Sequence, residues 1–242
     1  MLMKAIEGVF FDLDGTLLDT AEDFVITVNQ MLTDHKHPEL DGQLIRRHVS
    51  AGSRALMQLA FNIPTGKELE QKRALFLEYY DQHIQDQSRS TFAHPYPGIL
   101  PLIDELEHRK IAWGIVTNKP RAYAIALIRQ TGLLDKSHAI VCPEDVKRAK
   151  PDPESLILAC KQAKCSPEHS LYIGDHARDI EAGKRAGMTT VAAHYGYIAE
   201  GDNPKEWQAD LDIDNIKQLH DWLKQCNWLI PEDRALSSSN SL

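Results

Sequence analysis

The stretch Val9–Asp19, VFFDLDGTLLD, decides how the rest of the chain is read. Its apolar opening runs into Asp12, Asp14 follows two residues later, and Gly15 comes next. A short apolar run bounded by turn residues reads as a strand buried on both faces. Two carboxylates at the end of such a strand repel each other and lose hydration, which is unfavourable unless a counter-charge is present. In open α/β sheets, ligands bind beyond the carboxyl ends of the strands. Taken alone the pair reads as a strand-ending turn, and it reads as chemistry once the chain's further motifs stand beside it.

Working outward, further short apolar runs occur at Ala112–Thr117, Ala139–Cys142, Leu171–Gly174 and Thr190–Ala193, beside the first at Gly8–Asp12. Helical spacing separates them, in Ile99–Arg109, in Arg121–Thr131 behind Pro120, and in Glu154–Ala163 behind Asp152 and Pro153. This alternation predicts an α/β protein with a parallel sheet. From Asp19 to Thr91 no strand is expected. Phe24, Val28, Met31 and Leu32 form one helical face, and Glu68–Gln87 reads as a long helix. The expected organisation is a sheet core of residues 1–18 and 92–230, an inserted all-helical cap of 19–91 and a flexible tail of 231–242. HPYPG, His94–Gly98, is the turn-rich return into the core.

Composition bounds the function. With 43% hydrophobic and 26% charged residues, 242 residues can build one sizeable core with an insertion. A net charge of −8 argues against general binding to nucleic acid or anionic membranes. No apolar run reaches the roughly 18 residues of a membrane span, and residues 1–7 lack the apolar core of a signal peptide. The four cysteines form no CxxC pair and read as reduced thiols of a cytoplasmic protein. The eleven histidines show no zinc-ligand spacing.

The remaining acids and donors supply a reaction. LYIGDHARD adds Asp175 and Asp179 at another strand end. Clustered carboxylates are reconciled by a hard divalent cation, and Mg²⁺ suits oxygen ligands shared with a phosphate. Asp12 can attack phosphorus as a nucleophile. Asp14 can protonate the leaving oxygen and then activate water. Gly15 permits the tight turn that aims both side chains inward. IVTNKP places Thr117 and Asn118 at a strand end before a helix whose free amides favour an anion, and Lys150 precedes PDPE. Arg54, in VSAGSRAL, reads either as a solvated side chain or as a guanidinium for a substrate carboxylate. A helix N-terminal charge is the lesser reading of Asp179, and His176 reads as a loop residue or a phosphate neighbour.

DLDGT, TN, Lys150 before PDP, and GDHARD resemble, in order and spacing, the four motifs of the haloacid dehalogenase superfamily. The resemblance implies a Rossmann-like core with a helical cap and Mg²⁺ held by Asp12, the main-chain carbonyl of Asp14, and Asp175. It also implies phosphoryl binding by Thr117 and Lys150, with Asp179 one layer behind the ligands. TNKP and KPDP are similar to the phosphoglycolate phosphatase branch. VSAGSRAL, VCPEDVK and YGYIAEGDNPKEWQAD further resemble the bacterial N-acetylmuramic acid 6-phosphate phosphatases of cell-wall recycling. The expected activity is hydrolysis of a small carboxylate-bearing phosphate ester. N-acetylmuramic acid 6-phosphate is the expected ester and phosphoglycolate the alternative, with a phosphomutase or a non-catalytic binding protein on the same scaffold ranked behind both.

Overall fold

The computed structural model describes residues 6–85 and 91–225. The expected tail, 231–242, lies outside the described residues. In chain order, β1 (Gly8–Phe11) leads through β2 (Leu18–Asp19) into α1 (Ala21–Asp34), α2 (Gly42–His48), α3 (Ser53–Phe61) and α4 (Lys67–Gln85). The chain returns through β3 (His94–Pro95) to α5 (Ile99–His108), β4 (Ala112–Val116), α6 (Arg121–Gln130) and β5 (Ala139–Val141). It ends with α7 (Glu154–Ala163), β6 (Ser170–Gly174), α8 (Ala177–Ala186), β7 (Thr189–Ala193), β8 (Leu211–Ile213) and α9 (Ile216–Gln225).

Six strands form one parallel sheet in the order β5-β4-β1-β6-β7-β8. Successive side chains of a strand point to opposite faces, and β1 divides accordingly. Val9 and Phe11 join the core that includes residues of α5, α6 and α9, whereas Phe10 joins the one built on α7 and α8. Both faces are covered, so β1 is buried at every position. That is why it reads as a continuous apolar run rather than an alternating one.

The sequence pattern misses β8. LDI carries an aspartate between two apolar residues, and Asp210 precedes it. β8 is the edge of the sheet, paired with β7 on one side, where one solvated flank tolerates the charge. Asp210 also ties this edge down by accepting from the Thr190 amide at 2.8 Å and hydroxyl at 2.7 Å.

Helices α1 to α4 pack chiefly on one another, α1 against α2 and α4, and α3 against α4. Phe24, Phe76 and Tyr80 stack between α1 and α4, with Phe24 and Tyr80 centroids 4.7 Å apart. The two connections to the sheet run side by side, because β2 pairs antiparallel with β3. The helical stretch therefore leaves and rejoins the core at one place, beside the tip of β1.

Burial makes two neighbouring positions on α7 separable by experiment. Leu156 is fully buried and Ile157 is 48% exposed. Leu156→Ala is expected to cost about 2–5 kcal/mol of unfolding free energy in urea. Ile157→Ala is expected to stay within about 0.5 kcal/mol.

Candidate active site

Three adjacent strands deliver the polar groups. β4, β1 and β6 end at Thr117, Asp12 and Asp175 respectively. The ladders continue one residue past the strands: the Asp12 amide donates to the Ile173 carbonyl at 2.9 Å, and the Thr117 amide to Val141 at 3.0 Å. Asp12 is thus fixed by the sheet's register.

Lys150 sits at the centre of the cluster with its side chain fully buried. Its Nζ lies 2.9 Å from Asp12 Oδ1, 2.7 Å from Asp179 Oδ1, 2.9 Å from the Val116 carbonyl and 2.7 Å from the Tyr172 hydroxyl oxygen. Asn118 positions it. The Asn118 Nδ2 donates to the Lys150 carbonyl at 2.9 Å, and its Oδ1 accepts from the Lys150 amide at 3.1 Å. Asn118, expected at the phosphate, thus grips the lysine's main chain with both ends of its amide.

Asp12, Asp175 and Asp179 place carboxylate oxygens within 4.8 Å of one another, and all three are buried. Asp179, expected one layer behind the metal ligands, stands in this cluster, and its Oδ2 is a buried oxygen with no partner. Burial raises the Asp12 carboxyl to about 6; Lys150 pulls it back and Asp179 adds to the rise. Burial, reinforced by Asp12 and Asp179, lifts Asp175 to about 7. An all-oxygen donor set, strained by its own charge and holding an unanswered oxygen, fits a hard divalent cation. Two glycines make room for the Asp175 side chain: a Cβ at Gly15, where φ is +82, would lie 2.1 Å from Asp175 Oδ2, and one at Gly196 would lie 2.2 Å from Asp175 Cβ.

Asp14 faces the other way. Its Oδ1 accepts from the Thr20 hydroxyl at 2.6 Å and from Lys119 Nζ at 3.0 Å. Lys119 is buried, donates to the Tyr80 hydroxyl at 2.9 Å, and lies 4.5 Å from the Phe24 ring centroid. A cavity of about 490 Å³ runs from Asp12 and Asp14 to a rim bearing Arg54 and Arg73, with Phe76, Tyr80 and Tyr123 among its walls. On that rim Arg54 donates to Glu70 at 2.7 Å, and Arg73 to the Ser53 hydroxyl at 3.0 Å. His176 takes the loop role: its ring caps α8 by accepting from the Arg178 amide at 3.2 Å.

Sequence reasoning missed Lys119, Ser50, Tyr172 and Arg178. Lys119 stood inside TNKP, where a lysine between a strand end and a proline gives no sign of being buried. Ser50 and Arg178 meet only in three dimensions, through the Arg178 guanidinium and the Ser50 carbonyl.

The family model described as haloacid dehalogenase-like hydrolase matches residues 9–193. The chain is 43% identical over 224 residues to the N-acetylmuramic acid 6-phosphate phosphatase of Pseudomonas aeruginosa, covering 92% of this chain and 97% of the relative. It is 35% identical to the phosphoglycolate phosphatase of Xanthomonas campestris pv. campestris, covering 90% and 96%. The structure described as a predicted phosphoglycolate phosphatase from Haemophilus somnus 129PT shares the fold, with a TM-score of 0.76 at 22% identity, over 90% of this chain and 98% of that one. The chain belongs to the haloacid dehalogenase-like hydrolase family and is a phosphatase of it.

The raised carboxyls set a pH dependence. Asp12 at about 6 and Asp175 at about 7 hold protons that the unfolded chain releases nearer 4. Their contribution is therefore present in acid and lost as pH rises through the folded values. In chelator, the melting temperature is expected to fall between about pH 5 and about pH 8 for this reason, and the gain on adding MgCl₂ to be larger at the higher pH. A gain independent of pH would contradict the assignment.

Proposed function

From that membership, we propose that the chain is a cytoplasmic, Mg²⁺-dependent phosphomonoesterase acting through an aspartyl-phosphate on N-acetylmuramic acid 6-phosphate, in peptidoglycan recycling. The observation that carries the substrate is the cavity. About 490 Å³ lies in the range that takes a drug-sized ligand, far more than a two-carbon acid fills. Its lining includes the carboxylates of Asp12 and Asp14 and also Arg54 and Arg73, two guanidiniums that share the one carboxylate of Glu70. A 6-phosphorylated amino sugar with a lactyl carboxylate has that polarity: phosphate at one end, carboxylate at the other, and an acetamido group and ring C–H faces between. Phosphoglycolate is the second reading, supported by the 35% identical relative.

Asp12, the Asp14 carbonyl and Asp175 would hold Mg²⁺, with Asp179 beside them. When bound, the ion neutralises these carboxylates and the phosphoryl oxygens. Asp12 forms the bond to phosphorus as the ester oxygen leaves, and Asp14 gives that oxygen its proton. Asp14 then takes a proton from the water that attacks the phosphoaspartate, which restores Asp12 and releases phosphate. Lys150 and Thr117 hold the phosphoryl oxygens throughout. Residues 19–91, acting as a cap, exclude other water while the sugar is present.

Asp12→Asn keeps the volume and loses the attacking oxygen, and is expected to abolish turnover while the melting curve stays cooperative. Across N-acetylmuramic acid 6-phosphate, phosphoglycolate and simple sugar phosphates, kcat/KM is expected to be highest for the first. A higher value for phosphoglycolate would reverse the assignment. Arg54→Ala is expected to lower kcat/KM on carboxylate-bearing substrates by about 1.5–3 kcal/mol, while p-nitrophenyl phosphate, which has no carboxylate, barely changes. Equal losses on both would make Arg54 a support of the helical stretch through Glu70.

A further inference from the structure

The short segment between α2 and α3 reaches across to the carboxylate cluster. Ser50, buried there, donates its hydroxyl to Asp175 Oδ2 at 2.7 Å. The Ser50 carbonyl accepts from the Arg178 guanidinium, one turn into α8 from Asp175. The helical stretch therefore touches the sheet's carboxylate cluster through the side chain of one residue, on Asp175, and the neighbouring helix α8 through the same residue's main chain, on Arg178. Ser50 and Asp175 are 125 positions apart in sequence.

The contact selects between the two oxygens of Asp175. Oδ2 accepts from Ser50 and also from the Tyr197 amide at 2.8 Å. Oδ1 faces the Thr16 hydroxyl at the longer distance of 3.3 Å. Two short bonds fix the torsion of the carboxylate and engage Oδ2, so Oδ1 is the oxygen presented to a cation. Partners of this kind orient ligands and stiffen a metal site, and their loss typically lowers metal affinity about 10–100-fold.

Resting on the Mg²⁺ reading above, we propose that Ser50 is a positioning residue for Asp175, so that docking of the α2–α3 segment on the strand tips and Mg²⁺ binding form one coupled equilibrium. Coupling of two such events is reciprocal. If the docked segment raises the affinity for Mg²⁺, then Mg²⁺ must hold the segment docked by the same factor. Arg178 serves the same end from the sheet side, because it grips the Ser50 carbonyl and leaves the hydroxyl aimed at Asp175. The arrangement gives the enzyme a reason to assemble its metal site when the helical stretch lies over it.

Two readouts test this on the full chain with MgCl₂ alone, without substrate or turnover, so a wrong substrate leaves them unaffected. In calorimetric titration, Ser50→Ala is expected to weaken Mg²⁺ binding by about 10-fold or more, and Ser50→Thr, which keeps the hydroxyl, to recover most of it. In amide hydrogen exchange, Mg²⁺ is expected to slow exchange over residues 46–54 in the native chain and to do so less in Ser50→Ala. Urea midpoints in chelator establish that each variant is folded. Identical isotherms for the native chain and Ser50→Ala would overturn the proposal. So would exchange over 46–54 that ignores Mg²⁺ in the native chain.

Discussion

The ammonium of Lys150 among buried carboxylates is the constraint on which the rest of the structure depends. Asp12 and Asp179 are each within 2.9 Å of it, and Asp175 belongs to the same cluster. The ammonium, with the Arg178 guanidinium nearby, answers part of three carboxylate charges, and a divalent cation would answer the rest. Without these positive groups the cluster is costly, because a buried charge without a partner is among the least favourable things a fold can contain. Burial pushes the carboxyls of Asp12 and Asp175 up to about 6 and about 7. Such displacement is typical of sites held ready for a charged ligand.

The fold serves to hold that cluster. Three neighbouring strands end at one level, so groups more than a hundred residues apart in sequence meet without any loop having to reach for them. Asn118 then fixes the main chain of Lys150, and Tyr172 receives its side chain. The helical stretch contributes from above, with Ser50 on Asp175 and Tyr80 on Lys119, which in turn touches Asp14. Arg46 braces its attachment by gripping Asp19 of β2 through two bonds of 2.9 and 2.6 Å.

How much of this was legible in the sequence follows from the range of each interaction. β1 and the other central strands were readable because burial on both faces leaves an unbroken apolar run. β8 was not, because an edge strand admits the exposed Asp212 between its apolar residues. Helix α7 declared itself through its start signal, Asp152 and Pro153, and the structure buries Leu156, Ala159 and Cys160 along its inner face. Of the site, the acids at strand ends were readable as local pattern, whereas Lys150, which alone reads as a solvated side chain, was readable only by its place among the other motifs. Lys119 and Ser50 were not, because a buried lysine or serine acquires its meaning from partners that lie far away in sequence: Tyr80 and Asp14 for the first, Asp175 and Arg178 for the second. Arg54 was legible as a cation but not as the partner of Glu70.

The account rests on Asp12 forming a covalent bond to phosphorus while Asp14 handles protons. Asp14→Asn lacks the base that activates water, so on a substrate whose leaving group needs no proton the phosphorylated enzyme is predicted to accumulate. Rapid quenching of this variant with Mg²⁺ and p-nitrophenyl phosphate, followed by mass spectrometry of its peptides, measures that directly. One phosphoryl group on the peptide containing Asp12, absent when Asp12 is replaced by Asn, is the predicted result. Complete turnover with no adduct at any time, or an adduct on another residue, would contradict the mechanism.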